Sequence, residues 1–210
     1  MKINRVTVAA VGIVAAFFAI SAFQNQTLKF GVVDLGAVAD GSKLGARKRV
    51  EFDARRDKMT ALMQFVAEQR VVSRAQCSQL KTLMLTTNPT AAQTQELKQL
   101  QDQVRAQKTE FDTLMRVVSP RPDQLQRANE LSAMANEAQE ILRDWNQEFN
   151  FEMQQLRQSF QEEVLEKAKE AAKKVSQRGG FSTVFEAGVA VYAANDITQD
   201  AIKQMDTDNP

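Results

Sequence analysis

The stretch GGFSTVFEAGVAVYAANDIT, residues 179–198, differs in composition from a chain that otherwise favours helix. Residues 182–186 and 189–192 are rich in Val, Phe and Tyr, which strands prefer, and Gly188 between them can adopt the positive φ of a tight turn. They predict a β-hairpin. Because an isolated hairpin is only marginally stable in water, it needs a third strand or a packed helix.

One other segment has the two-residue period of a strand. In LKFGVV, residues 28–33, Leu, Phe and Val alternate with Lys, Gly and a second Val. If this strand joins the hairpin, the sheet has three strands in each chain. The residues between Asp34 and Phe181 must then leave the sheet and return to it.

The intervening residues favour helices. Gly and Pro number only 8 and 4 in 210 residues, and apolar residues recur at helical spacing. Prolines near 88–89 and 119–122 divide the region into predicted helices from Lys43 to Leu85, Ala91 to Val117 and Asp123 to Gln177. The simplest arrangement is an antiparallel hairpin in which the first two helices form one leg, kinked at Pro89. Whether the end of that longer leg folds back or the kink absorbs its extra length stays open.

Polar residues beside the strands predict turns and caps. Asp196 with Gln199 matches a capping box for a short C-terminal helix. Asp34 and Glu186 lie next to strand ends, where turn or cap roles fit better than acid–base catalysis.

The N-terminus is typical of an exported protein. Lys2 and Arg5 precede an apolar run from Val6 to Phe23, and Ala19-Ile20-Ser21 offers a small-x-small cleavage site. The run would span roughly 27 Å as a helix, close to the thickness of a hydrocarbon core. Residues 1–23 are therefore predicted to be a signal peptide or a membrane anchor. Either places the rest of the chain in the periplasm, free or held at the inner membrane.

Composition excludes several kinds of chemistry. The chain has no His and one Cys, which rules out a disulfide within one chain, a Cys/His metal site and a His-dependent nucleophile. We expect no enzyme activity, cofactor or metal. Cys77 falls in a helical seam, where a small buried hydrophobe is the expected role. The basic residues between Arg47 and Lys58 are interleaved with acids, which favours a solvated helix face over a nucleic-acid site.

The order of these elements resembles the Skp/OmpH family of periplasmic chaperones. The likeness rests on the strand FGVVD at residues 30–34, the helical region, and residues 181–205 with their TVFEAGVAVYAANDIT sequence. In the helical middle it rests on length and periodicity. The resemblance implies an α+β fold with a small sheet body and a long helical hairpin arm, assembled as a jellyfish-like homotrimer. It also implies a holdase that keeps unfolded outer-membrane proteins between the arms without ATP.

Carried onto this chain, the resemblance gives a body of residues 28–42 and 179–210 and an arm of residues 43–178. The body residues expected at the oligomer interface are Phe30, Val32, Val184, Val189, Val191 and Tyr192. The expected client contacts are Phe111, Met115 and Phe151. The expected partners are unfolded outer-membrane β-barrel proteins and other copies of the chain, with the membrane surface as a further candidate and no nucleic acid.

One departure from the family concerns charge. Members carry a basic arm, whereas residues 86–122 here hold five cations and four anions. A second hypothesis follows from the N-terminus: if residues 1–23 are not cleaved, the chain could serve as a coiled-coil tether at the inner membrane.

Overall fold

A computed structural model describes residues 28–189 and 195–210. In chain order the elements are β1 (Phe30–Val33), α1 (Leu35–Gly41), α2 (Lys43–Gln69), α3 (Arg74–Leu85), α4 (Ala91–Leu114), α5 (Pro122–Arg178), β2 (Thr183–Glu186) and α6 (Thr198–Asp208). The fold is α+β and mostly helical. The described residues form two compact units, a terminal unit of residues 28–44, 165–189 and 195–210 and a helical unit of Gly45–Val164.

The sheet of the terminal unit joins the two ends of the described chain. β1 and β2 pair in parallel, with Phe30 opposite Thr183 and Val33 opposite Glu186. On its other side, the Val32 amide donates to the Asn195 carbonyl (2.8 Å) and the Val32 carbonyl accepts from the Ile197 amide (2.9 Å). The prediction that β1 lies beside the C-terminal strand segment is therefore confirmed.

The predicted second strand of the hairpin lies mostly outside the described residues. Ala187, Gly188 and Val189 form a turn after β2, and the Val189 amide donates to the Glu186 carbonyl (2.9 Å). Residues 190–194, which include Val191 and Tyr192, are not described. Two strands are therefore established and the third stays a prediction.

The cap predicted at Asp196 is wrong. Helix α6 begins at Thr198, and its N-cap residue, Ile197, makes no side-chain capping bond. The Asp196 carboxylate accepts from the Thr198 amide (2.8 Å). Hydrogen bonds from the side chain and the amide of Thr198 lower the pKa of Asp196. Because Asp196 forms a parallel bridge with Val32, the chain stays extended at the position where the predicted helix would begin. Asp34, in contrast, caps α1 by accepting from the Ala37 amide (2.8 Å).

Buried apolar residues of both chain ends form the core of the terminal unit. α1 packs against α6, and the Lys43 amide donates to the Asp206 carboxylate (2.7 Å) at this junction. The buried residues are Val32, Val33, Val38, Leu44, Ala168, Ala171, Ala172, Val175, Ile197, Ala201 and Met205. α1 itself was not anticipated from the sequence.

The helical unit corrects the expectation of one uninterrupted helix from Lys43 to Leu85. α2 ends at Gln69 and α3 starts at Arg74, with Arg70 at a φ of 62°. Arg55 donates to the Leu85 carbonyl (3.1 Å) and Lys58 to the Thr86 carbonyl (2.7 Å), so the end of α3 lies beside the middle of α2. The chain therefore doubles back between α2 and α3.

All four helical segments of this unit contribute to one core. Its members are Met59, Leu62 and Val66 from α2, Val72 from the connection, Cys77, Leu80 and Leu83 from α3, Leu100 and Val104 from α4, and Ala138, Ile141, Trp145 and Phe149 from α5. The rings of Trp145 and Phe149 stack at 5.9 Å between centroids. The apolar stripes of α2 and α5, predicted to face each other as a two-legged hairpin, are thus also covered by α3 and α4.

Candidate interaction surfaces

The described residues carry exposed apolar surfaces, which are the candidate interaction sites. Across residues 28–189 and 195–210, no group of three His, Cys, Asp or Glu side chains could hold a metal ion. Cys77 is 1% exposed, which confirms the prediction of a buried side chain, and burial raises the pKa of its thiol to about 11. A neutral, buried thiol is a poor nucleophile.

Apolar residues around β1 and β2 form an exposed surface that we call the sheet patch. Its members are Leu28, Phe30, Phe185 and Val189, of which Val189 is the most exposed at 76%. The rings of Phe30 and Phe185 lie 6.2 Å apart between centroids, on adjacent strands. Among the described residues, β2 pairs with β1 on one edge and with no strand on the other. The described part of the sheet therefore presents exposed apolar side chains, and β2 pairs there with β1 alone.

Local contacts hold this sheet at the end of α5. The Lys29 ammonium donates to the Gly179 carbonyl (2.8 Å) and lies 4.1 Å from the centroid of the Phe181 ring. Gly180 has a φ of 64°, a conformation that glycine adopts without a steric penalty. The Gly179-Gly180 pair thus ends α5 and lets the chain turn into β2.

The six residues predicted at the oligomer interface differ in their exposure. Phe30 and Val189 are exposed in the sheet patch, and Val184 is half-buried. Val32 is 8% exposed and belongs to the core of the terminal unit instead. Val191 and Tyr192 lie outside the described residues.

A second apolar surface lies at the connection between α4 and α5. We call it the loop surface and define it as Met115, Val118 and Leu125, which are 62%, 97% and 52% exposed. Two hydrogen bonds stabilise this connection. The Val117 amide donates to the Leu114 carbonyl (3.1 Å), and the Arg121 amide donates to the Gln124 side chain (3.0 Å). Phe111, one turn before Met115 on α4, is half-buried.

Ion pairs surround the loop surface. Arg127 of α5 makes two 2.9 Å hydrogen bonds to the carboxylate of Glu110 on α4, which fasten the two helices together beside the loop. The hydrogen bond from Arg127 lowers the pKa of Glu110. Hydrogen bonds likewise lower the pKa of Asp112, from Lys108, and the pKa of Asp123, from Arg121.

The predicted client contacts are not gathered in one place. Phe111 and Met115 lie beside the α4–α5 connection, whereas Phe151 is 65% exposed and lies 29 positions after Pro122 on α5. At 1.5 Å per residue, that separation is roughly 40 Å along the helix. The structure therefore places Phe151 on a different surface from the other two.

The basic residues near the start of α2 are paired with acids. Lys48 contacts Glu163 (2.8 Å), Arg55 contacts Glu152 (2.6 Å) and Arg56 contacts Asp53 (2.9 Å). Arg56 and Asp53 fit the predicted solvated helix face, whereas Lys48 and Arg55, 20% and 30% exposed, pair with acids of α5 instead.

Sequence reasoning missed part of both surfaces. The sequence patterns around Val118 and Leu125 do not show whether these side chains are exposed. Phe185 was predicted only to lie in a strand. The starts of two helices did leave a sequence signal: Ser73-x-x-Gln76 and Thr90-x-x-Gln93 form capping boxes at the starts of α3 and α4.

These features define a class of protein: an α+β chain with a small sheet and a long helical region that exposes apolar surfaces. In the part of the chain that the structure describes, no helix is both long and apolar enough to cross a membrane. Residues 29–205 match the sequence model of the family described as outer membrane protein (OmpH-like). The chain belongs to this family, which comprises periplasmic chaperones of outer-membrane proteins. Comparisons with curated proteins and with solved structures gave no match.

Proposed function

We propose that the chain is an ATP-independent holdase that keeps unfolded outer-membrane β-barrel proteins from aggregating in the periplasm. The observation that carries this proposal is the exposure of large apolar side chains on both units of a member of a chaperone family. Such surfaces suit a protein that binds non-native chains through many shallow contacts. Phe111, Met115 and Phe151 are the proposed client contacts.

We further propose that the chain works as a homotrimer assembled through the terminal unit. The sheet patch supports this, because four exposed apolar residues surround a sheet with one unpaired strand edge among the described residues. A sheet this small gains stability from additional strands or packed partners. Burying the patch against other subunits would supply them.

Export of the chain rests on residues 1–23, which lie outside the described residues. Cleavage would release the mature chain into the periplasm. If the apolar run Val6 to Phe23 is retained, the tether at the inner membrane becomes the alternative function. Mass spectrometry of the chain purified from envelope fractions decides between them: a mature N-terminus near residue 22 supports the soluble chaperone, and an intact Met1 supports the tether.

The holdase function is tested by aggregation of a client. A small outer-membrane β-barrel protein, unfolded in urea, is diluted into buffer with and without the mature chain, and light scattering is followed. We expect scattering to fall as the chaperone is added, without ATP. Unchanged scattering at several-fold molar excess would contradict the proposal. A matched concentration of an unrelated helical protein controls for nonspecific crowding.

A further inference from the structure

We propose that the loop surface, Met115, Val118 and Leu125, is a docking site for apolar segments of an unfolded polypeptide, and that it captures them without charge attraction. This inference rests on the proposed holdase function and assigns the place and chemistry of client capture. Of its three residues, Met115 was an expected client contact from the sequence, whereas Val118 and Leu125 were not.

The helical unit has already buried the apolar stripes of α2 and α5. In a two-legged hairpin these stripes would be covered only by each other. Here Leu62 and Val66 are 0% exposed and Trp145 is 6% exposed, because α3 and α4 pack over them. Client contacts on this unit must therefore use apolar side chains outside that core.

Exposed apolar side chains of the helical unit are concentrated near the α4–α5 connection. Large exposed hydrophobic residues of the helical unit are Val50, Met115, Val118, Leu125 and Phe151. Three of these five lie within the eleven positions from Met115 to Leu125, and Val118 is 97% exposed. Pro120 and Pro122 restrict the backbone of this connection, so its apolar side chains are displayed at a low entropic cost of ordering on binding.

The charge around the loop surface favours an apolar occupant. The cations around the loop surface are already matched by acids: Lys108 with Asp112 (2.5 Å), Arg121 with Asp123 (3.2 Å) and Arg127 with Glu110 (2.9 Å). Arg116 is the remaining cation of the segment from Lys108 to Arg127, so this segment carries a net charge of about +1. A nearly neutral apolar surface has little attraction for acidic segments or anionic lipid, and it fits the apolar stretches of an unfolded chain.

The test measures binding of a urea-unfolded, fluorescently labelled outer-membrane β-barrel protein to the mature chain by anisotropy. The double variant Val118→Asp/Leu125→Asp is compared with wild type and with Val50→Asp, which changes an exposed valine elsewhere in the same unit. We expect the double variant to bind about tenfold or more weakly, and Val50→Asp to bind like wild type. Circular dichroism checks that all three are folded.

The salt dependence of binding distinguishes capture by apolar contacts from capture by charge attraction. We expect wild-type affinity to change by less than about twofold between about 50 and 500 mM NaCl, because exposed charges are screened over this range and apolar contacts are not. A steep loss of affinity with salt, or a double variant that binds like wild type, would overturn the inference while leaving the holdase function standing. Failure of wild type to bind at all would overturn both.

A membrane is the competing occupant of an exposed apolar loop. Vesicles of phosphatidylethanolamine and phosphatidylglycerol are therefore tested in parallel by flotation. If the double variant loses vesicle binding and keeps client binding, the loop surface is a membrane contact and the inference is wrong. If it loses client binding and its vesicle binding matches wild type, the inference is supported.

Discussion

At the scale of single residues, the core of the helical unit depends on a few fully buried leucines. Leu62 is 0% exposed and contacts a core built by all four helical segments, so Leu62→Ala should leave a cavity. Substitutions of this kind cost about 2–5 kcal/mol. We expect the urea midpoint of the helical signal to fall accordingly. Leu125→Ala, the same change at a 52% exposed position, should cost under about 1 kcal/mol. Equal losses in both variants would show that the core is misassigned.

The ion pair beside the α4–α5 connection gives a pH-dependent contribution to stability. Because Arg127 lowers the pKa of Glu110 in the folded chain, the pair stabilises the fold above the unfolded pKa of about 4.3. That stability is lost as the pH falls through the lower, folded pKa. We expect Glu110→Gln to melt at a lower temperature than wild type at pH 7, with the difference disappearing toward pH 3. This difference in melting temperature is small, because both side chains are more than a third exposed.

Glu130 provides the control for this titration. It also contacts Arg127, at 3.2 Å, but lies on α5 and does not join the two helices. Glu130→Gln should therefore lower the melting temperature less than Glu110→Gln. A Glu110→Gln deficit that persists at pH 3 would mean that packing and not charge fixes this contact.

At the scale of elements, the strand pairing could be predicted from the sequence, whereas the helix reversal left only the local signal of a helix start at Ser73. Alternation in LKFGVV and the Val/Phe-rich TVFE point to two strands, and too few other strand candidates exist for either to pair elsewhere. Between Gln69 and Arg74 no Gly or Pro marks a break. The reversal depends instead on Arg70 at positive φ and on Val71 and Val72, both 0% exposed, which are anchored by tertiary packing. Periodicity does not report such packing.

The capping box of α3 provides the local signal for this reversal. The Ser73 side chain accepts from the Gln76 amide (3.3 Å), and the Gln76 side chain accepts from the Ser73 amide (3.0 Å). Ser73→Ala should destabilise the helical unit by about 0.5–2 kcal/mol, measured by urea denaturation followed by circular dichroism. Ser78→Ala, an exposed position inside the same helix, should be neutral or slightly stabilising. If Ser73→Ala is also neutral, packing of Val71 and Val72 alone sets the reversal.

The candidate sites were recovered from the sequence only in part. Residue type points to Phe30 and Val189 as interface candidates, and both are exposed. Val32, on the same strand as Phe30, is buried within the subunit. Alternation alone does not separate these cases, because Phe30 and Val32 lie two positions apart on the same face of β1 and only tertiary packing decides which of them is covered. For the same reason Val118 and Leu125 could not be recognised as exposed before the α4–α5 connection was placed.

At the scale of the whole molecule, exposed apolar surfaces on separate units predict that the proposed assembly and the proposed client capture can be separated by mutation. The sheet patch belongs to the terminal unit and the loop surface to the helical unit. A substitution in one unit should leave the function of the other intact. Loss of both functions from a single exposed substitution would instead indicate that client capture requires the assembled oligomer.

The oligomer interface is tested by placing charge in the sheet patch. Phe30 and Phe185 are 47% and 43% exposed in the single chain, so Phe30→Asp/Phe185→Asp should permit folding of the isolated subunit. If the patch is buried between subunits, two unpaired carboxylates there are costly, and the trimer should dissociate. Analytical ultracentrifugation of the mature chain measures this. Phe151→Asp, on the helical unit, should sediment like wild type. A double variant that still sediments as a trimer, with unchanged circular dichroism, would place the subunit interface away from the face formed by β1 and β2.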